Sequence, residues 1–167
     1  IMMTFDGDRL DTTELQVKEN LYFVIVDLHA RKDTRKILAD LNKAYPFANN
    51  EIEQGVQQLL GPINKRITHQ ALEALQQADA ERLGALMTEA QEFFNRYAAP
   101  ACPEELTAPV LNRVLAYPPL KPHIWGGKGV GSATAIQRRI QMRDQGAQSQ
   151  ATALVAGQQQ RVGAGIG

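Results

Sequence analysis

From Ile52 to Tyr97 apolar residues recur at three- and four-residue intervals, and this spacing makes the middle of the chain helical. Ile52, Val56, Leu59, Leu60 and Ile63 form the first run, and Ile67, Leu72 and Leu75 continue it beyond Gly61-Pro62. Proline removes a helix donor and clashes with the preceding turn, so the runs are two helices or one kinked helix. Asp79 supplies an N-cap for the next helix, on which Leu83, Leu86, Met87, Ala90, Phe94 and Tyr97 make the cleanest apolar stripe of the chain. One-sided helices need a second layer to cover them.

The segments on either side read as that layer. Met2 to Phe5, then Asp6-Gly7, then the stretch through Leu15 and Val17 predict a hairpin, because Asp-Gly supplies the positive φ angles of a tight turn. Leu21 to Val26 is aromatic and β-branched, which predicts a central strand buried on both faces. Asp33-Thr34 then caps a helix that carries Ile37, Leu38 and Leu41 on one face and ends by Pro46. Beyond the helical block, a short helix is expected from Thr107 to Leu115, with Pro109 in its first turn. Lys121 to Trp125 follows as a short strand leading into a glycine-rich loop. The order predicts an α+β fold, an antiparallel sheet covered by a block of four to five helices.

Composition narrows the function. The 167 residues suit one domain, and 18 basic against 18 acidic side chains leave no excess charge for an electrostatic nucleic-acid partner. Cys102 stands alone and no charged segment followed by an apolar one opens the chain, which argues against a secreted disulfide scaffold and for a cytoplasmic protein. The longest apolar run, Leu21 to Val26, is far below the roughly 20 residues of a membrane span, so no membrane partner is expected. Residues 133–167 are different material from residues 1–132. They hold four arginines, one acid, eight Gln and seven Ala with no aromatic, and they end in Gly163-Ala164-Gly165-Ile166-Gly167. The expected division is a domain over 1–132 and a disordered or frameshifted tail over 133–167. Ile1 ahead of Met2-Met3 also suggests an altered beginning.

The glycine-rich stretch Gly126-Gly127-Lys128-Gly129-Val130-Gly131-Ser132 is the strongest candidate site. Glycines at such density serve a backbone that approaches a ligand closely or takes positive φ, and successive amides can form an anion nest. A flexible connector is the competing reading. The spacing is not that of a P-loop, because Lys128 is followed by Gly129 and Pro122 stands where the first glycine belongs. Nor is it a dinucleotide fingerprint, since the stretch follows a helical block and not a first strand.

Three segments in order resemble the C-terminal half of the GHMP kinases, named for galactokinase, homoserine kinase, mevalonate kinase and phosphomevalonate kinase. Tyr22 to Leu28 followed by Arg31-Lys32-Asp33-Thr34 is similar to the strand-to-helix passage that opens that domain. Gln76 to Met87, with its acidic turn and Leu83-Gly84-Ala85-Leu86-Met87, resembles the family's helix pair. Trp125 to Ser132 resembles its third motif, with Lys128 and Val130 where glycine is common. The resemblance covers residues 10–132 and implies transfer of the ATP γ-phosphate, with Mg²⁺, to a hydroxyl of a small-molecule substrate, a sugar first among the classes. It assigns Gly126, Gly127, Lys128, Gly129, Val130, Gly131 and Ser132 to cofactor binding. The Gly-Leu-Gly-Ser-Ser phosphate loop and catalytic acid would belong to a missing N-terminal kinase domain, so no catalytic residue is expected here and the chain alone is expected to be inactive. The family's strand after the third motif is not legible in Ala133 to Arg139. A non-catalytic helical interaction module with a Gly-rich linker is the rival.

Other residues admit a local and a chemical role. Lys128 contacts a phosphate or is solvated. His29 shares a strand face with Asp27, as a carboxylate-oriented base or as a polar pair at a strand end. His69 and His123 have no second ligand at metal spacing. Cys102 is a thiol at a helix start or a small buried residue. Phe93, Phe94 and Tyr97 suit core packing, and Arg31 and Lys32 a solvated turn or an anionic substrate.

Overall fold

The computed structural model describes residues 2–6, 8–29, 32–130 and 133–138. β1 (Met2–Asp6) and β2 (Arg9–Thr13) pair antiparallel as a hairpin, with Phe5 opposite Leu10. The expected turn residue Gly7 lies outside the described residues, and β2 stops at Thr13, short of Leu15 and Val17. β3 (Phe23–Asp27), β4 (Ile124–Val130) and β5 (Ala133–Arg138) make a second antiparallel sheet in the order β3-β5-β4. Between them run α1 (Thr34–Asn42), α2 (Glu51–Gln58), α3 (Asn64–Gln77), α4 (Ala80–Phe93), α5 (Pro103–Leu106) and α6 (Pro109–Ala116). The chain is mixed α+β, mostly helical, with antiparallel strands.

Local chemistry sets the helix boundaries. Asp33 accepts from the amides of Arg35 and Lys36 at 3.0 and 3.1 Å, which starts α1 where the sequence places it. Asn50 accepts from the Glu53 amide at 2.9 Å, while Glu53 accepts from the Asn49 amide at 2.6 Å, a reciprocal cap on α2. Gly61 leaves helical geometry at φ −98° and ψ −106°, so α2 and α3 are separated by one widened turn, Leu59–Ile63. Ala78 ends α3 in the left-handed region, and Asp79 caps α4 by accepting from Arg82 at 2.9 Å.

The apolar stripes meet in two clusters. Leu59, Ala98, Cys102 and Leu106 form one, with Ile37, Leu41 and Phe94 packed around it. Ala74, Leu83, Leu86 and Met87 form the other, where α3 and α4 face each other. Leu86 is 1% exposed, and burial of such a side chain contributes about 1.5–3 kcal/mol. Among the described residues no helix is long and apolar enough to cross a membrane.

Two expectations about the sheet are corrected. β3 is not central; it lies at the edge of its sheet, and Phe23, Val24 and Ile25 are exposed, Ile25 at 72%. Hydrophobicity reports what a strand can bury and does not place a cover over it. The centre belongs to β5, which pairs with β3 through Val26 opposite Thr134 and with β4 through Gly129 opposite Thr134. Residues 133–138 are therefore a strand and not the start of the expected tail. Ladder hydrogen bonds on both sides outweigh a weak local propensity. The rest of that expected tail, residues 139–167, lies outside the described residues.

Candidate anion site on a glycine-rich strand

Helix α4 presents Gly84, Thr88 and Gln91 along one face, at offsets of four and three residues. That face lies against β4. A Cβ built on Gly84 would stand 2.7 Å from the Trp125 carbonyl carbon and 2.8 Å from the Gly126 nitrogen, while one on Gly126 would run into the Gly84 carbonyl. The two backbones touch, and only a pair of glycines permits it. Above this contact the Gly127 amide donates to Thr88 Oγ1 at 3.4 Å, and the Gly129 amide donates to Gln91 Oε1 at 2.8 Å. Gln91 Nε2 in turn donates to Asn95 Oδ1 at 2.9 Å, and Asn95 Nδ2 donates to Asn112 Oδ1 at 3.0 Å. Gln91 is buried, and its amide is satisfied at both ends.

The sequence-predicted loop is thus a strand. Gly126, Gly127, Lys128, Gly129 and Val130 all belong to β4, and neither Gly126 nor Gly129 takes positive φ. Close packing on α4, and not turn geometry, explains the glycine pair. Gly129 is likewise no free loop residue, because a Cβ there would sit 2.8 Å from Leu111 Cδ2. Val130 is exposed. Gly131 and Ser132 lie outside the described residues.

Lys128 is held between these anchored neighbours and lines a cavity of about 550 Å³. Lys32 and Thr34 reach the same cavity from the start of α1, which is fixed by the Asp33 cap and by the Asp33 amide donating to Glu105 Oε2 at 2.8 Å. Asn64, Gln91, Phe94, Leu111 and Gly129 share the lining, which contains no carboxylate among the described residues. Lys128 also borders a neighbouring cavity of about 370 Å³, again without a carboxylate among the described residues of its wall. Among the described residues neither Lys32 nor Lys128 takes part in an ion pair. Burial holds the Lys128 ammonium below its ordinary value. Among the described residues this half-buried cation has no counter-charge, and burying a charge unpaired is costly.

The other candidates are dispersed. His29 pairs with Asp27 at the exposed end of β3, its amide donating to Asp27 Oδ1 at 2.8 Å, and it is not among the residues that line the cavity. His69 and His123 are exposed, and the described residues contain no group of three His, Cys, Asp or Glu placed to hold a metal. Cys102 is the small buried residue of the two readings; desolvation and a hydrogen bond with Asp40 push its thiol up, opposite to the lowering a helix start can give. Phe93 stacks on Tyr97 at 6.0 Å, with Arg66 over the Phe93 ring at 5.8 Å. Phe94 does reach the cavity. Arg31 lies outside the described residues. Sequence reasoning missed Gln91, Asn95 and Asn112. The signal for Gln91 was available, since a glutamine four residues after Met87 and three before Phe94 interrupts the apolar face of α4.

Comparison with family models, with curated proteins and with solved structures gives no match.

Proposed function

We propose that this chain is the C-terminal part of a small-molecule kinase of the GHMP type, in which β4 lies beside the phosphoryl acceptor. The observation that carries the reading is Lys128: a partly buried ammonium on a glycine-rich strand, next to a cavity with no carboxylate among the described residues that line it. Phosphoryl transfer rests on placement and charge stabilisation, and a lysine supplies a point charge for phosphate oxygens. The linker form of the interaction-module reading loses its ground, because Gly126 to Gly129 are packed against α4 and α6.

The residues present fit one part of the implied chemistry and not another. Lys128 suits an anionic group. Mg²⁺ takes oxygen ligands, usually including a carboxylate, and the described residues around Lys128 offer no carboxylate, so no step is assigned to the metal here. In this reading ATP and Mg²⁺ are held chiefly by an N-terminal domain outside this sequence.

The test begins with the coding DNA upstream of residue 1, which should encode a Gly-Leu-Gly-Ser-Ser phosphate loop in the same or a neighbouring frame. The chain extended to include it should transfer labelled γ-phosphate from ATP, and Lys128→Met should lower that turnover by about tenfold or more. Absence of such a loop upstream would remove the kinase reading.

A further inference from the structure

The two outer edges of the sheet β3-β5-β4 are finished differently, and the alternation of backbone groups shows which of them are left bare. The Gly127 and Gly129 amides donate to Thr88 and Gln91 on α4, so they point away from β5. Successive residues of a strand turn their amides and carbonyls to opposite sides, so Gly126, Lys128 and Val130 are the residues that bond to β5, through Gln137, Ala135 and Ala133. By the same alternation Ile136 and Thr134 turn toward β3, where they meet Val24 and Val26. Phe23, Ile25 and Asp27 therefore direct their backbone groups outward, and no strand among the described residues pairs with that edge. Folds protect such an edge with proline, lysine or a bulge. Phe23–Asp27 contains neither residue, and its register with β5 runs without a shift. Its one charge, Asp27, is turned back on the local chain, where it accepts from the His29 amide at 2.8 Å.

We propose that β3 is a homodimer interface, at which two copies of this chain join antiparallel, edge to edge, about a two-fold axis at Ile25. In this register Ile25 faces Ile25 of the second copy, Phe23 faces Asp27 and Val24 faces Val26. The whole strand is paired, and the outward residues exchange amide and carbonyl bonds across the axis. Charge favours the same register. It holds the two Asp27 carboxylates about 14 Å apart along the ladder, beyond the screening length of roughly 8–10 Å, whereas an axis at Asp27 would oppose them directly. A second copy fits the edge better than an unrelated strand because the contact closes on itself. Both bare edges are used at once, and the joined sheet, β4-β5-β3-β3-β5-β4, ends at strands whose outward amides are bound to α4. Val24 and Val26 line an apolar cavity of about 550 Å³ with Val110, Val114 and Tyr117, and the second copy's Val26 and Val24 extend that wall on the same face of the sheet. The contact is small. Its exposed apolar side chains in the strand are Phe23, Val24 and Ile25, which sets it below the roughly 1,200 Å² of a standard interface and makes the dimer weak, with a Kd on the order of 10–100 µM. The interface is independent of the kinase reading, since it uses neither Lys128 nor the cavity beside it.

The experiment follows the 167-residue chain from about 3 µM to about 1 mM by analytical ultracentrifugation and by amide hydrogen exchange read by NMR. The mass should double across this range. Exchange at Phe23, Ile25 and Asp27 should slow by about fivefold or more, while Val24 and Val26, whose amides are bonded to β5, should be protected at every concentration. Ile25 is 72% exposed, so Ile25→Lys and Ile25→Glu should each keep the wild-type Tm at about 3 µM. Each should also stay monomeric, because like charges then meet across the axis, and an equimolar mixture of the two should recover the dimer. Where a variant does not fold, the three wild-type amides decide alone. A chain that remains monomeric at about 1 mM would overturn the proposal, and so would doubling of mass with no change at those amides. Full protection of the amides in the dilute chain would also overturn it, by placing another segment of the same chain on the edge. A folded Lys and Glu pair of variants that does not associate on mixing would overturn the register at Ile25 and the interface with it.

Discussion

The two outer strands of one sheet, β3 and β4, differ in composition and are packed in the opposite sense to what that composition suggests. β4 carries Gly126, Gly127 and Gly129, residues that a strand ordinarily avoids, yet it is clamped to α4 at backbone contact. β3 carries Phe23, Val24, Ile25 and Val26, residues that a strand prefers, yet three of these are exposed. The β1–β2 hairpin resembles β3, with Phe5 72% and Leu10 50% exposed. Intrinsic strand preference therefore says little about where this fold is tight. What matters is whether a facing element has the right shape, and α4 meets β4 with Gly84, Thr88 and Gln91 at the three places where β4 offers a bare backbone.

The contrast can be broken most violently at the point of contact. Gly126→Ala should destabilise the chain by about 3 kcal/mol or more, because the new methyl would displace the Gly84 carbonyl and neither backbone can turn aside. Urea unfolding followed by circular dichroism measures this. Next in size is Gln91→Leu, which leaves the Gly129 amide and the Asn95 side chain without their partner and should cost about 1–3 kcal/mol. A double cycle with Asn95→Ala should show coupling between the two sites. Asp79→Ala removes the cap that starts α4 and should cost about 1 kcal/mol, with amide exchange quickening at Arg82.

At the exposed edge the same methods should register almost nothing. Ile25→Ser is expected to change stability by less than about 0.5 kcal/mol; a loss of several kcal/mol would mean that β3 is covered in solution. The pH dependence is the finest probe of the tight region. Burial lowers the Lys128 pKa in the folded chain relative to its ordinary 10.5, so the unfolded chain holds more proton there between the depressed value and 10.5. Stability should rise as pH climbs through that window, and Lys128→Met should remove the rise.

The helical block was readable because its information is local. Stripe spacing, the Asp33 and Asp79 caps and the Gly61-Pro62 break each act within a turn or two, and the structure places each near its expected position. The sheet was less readable because its information is not local. Nothing within Ala133 to Arg138 reveals that β3 and β4 stand ready on either side, and nothing within Leu21 to Val26 reveals an edge. The candidate site falls between these cases. Lys128 was visible as a cation among glycines, but Lys32, which lines the same cavity, is 96 positions away and read as part of a solvated turn or as a contact to an anionic substrate, with nothing to link the two. Gln91 announced itself only as a flaw in an apolar stripe.

The contact between Gly84 and Gly126 also works as a gauge. Along a helix the positions 84, 88 and 91 are spaced by a fixed rise of about 1.5 Å per residue, and β4 engages each of them through a different atom. A strand that slid by one residue would bring Lys128 or Val130 toward places sized for glycine, and every side chain would change faces. The slipped pairing is thus penalised several times over, by collision and by lost hydrogen bonds together. A helix that could have served merely as cover instead fixes the phase of the strand beneath it, and the side of the sheet on which the lysine charge emerges is set at a position two residues distant.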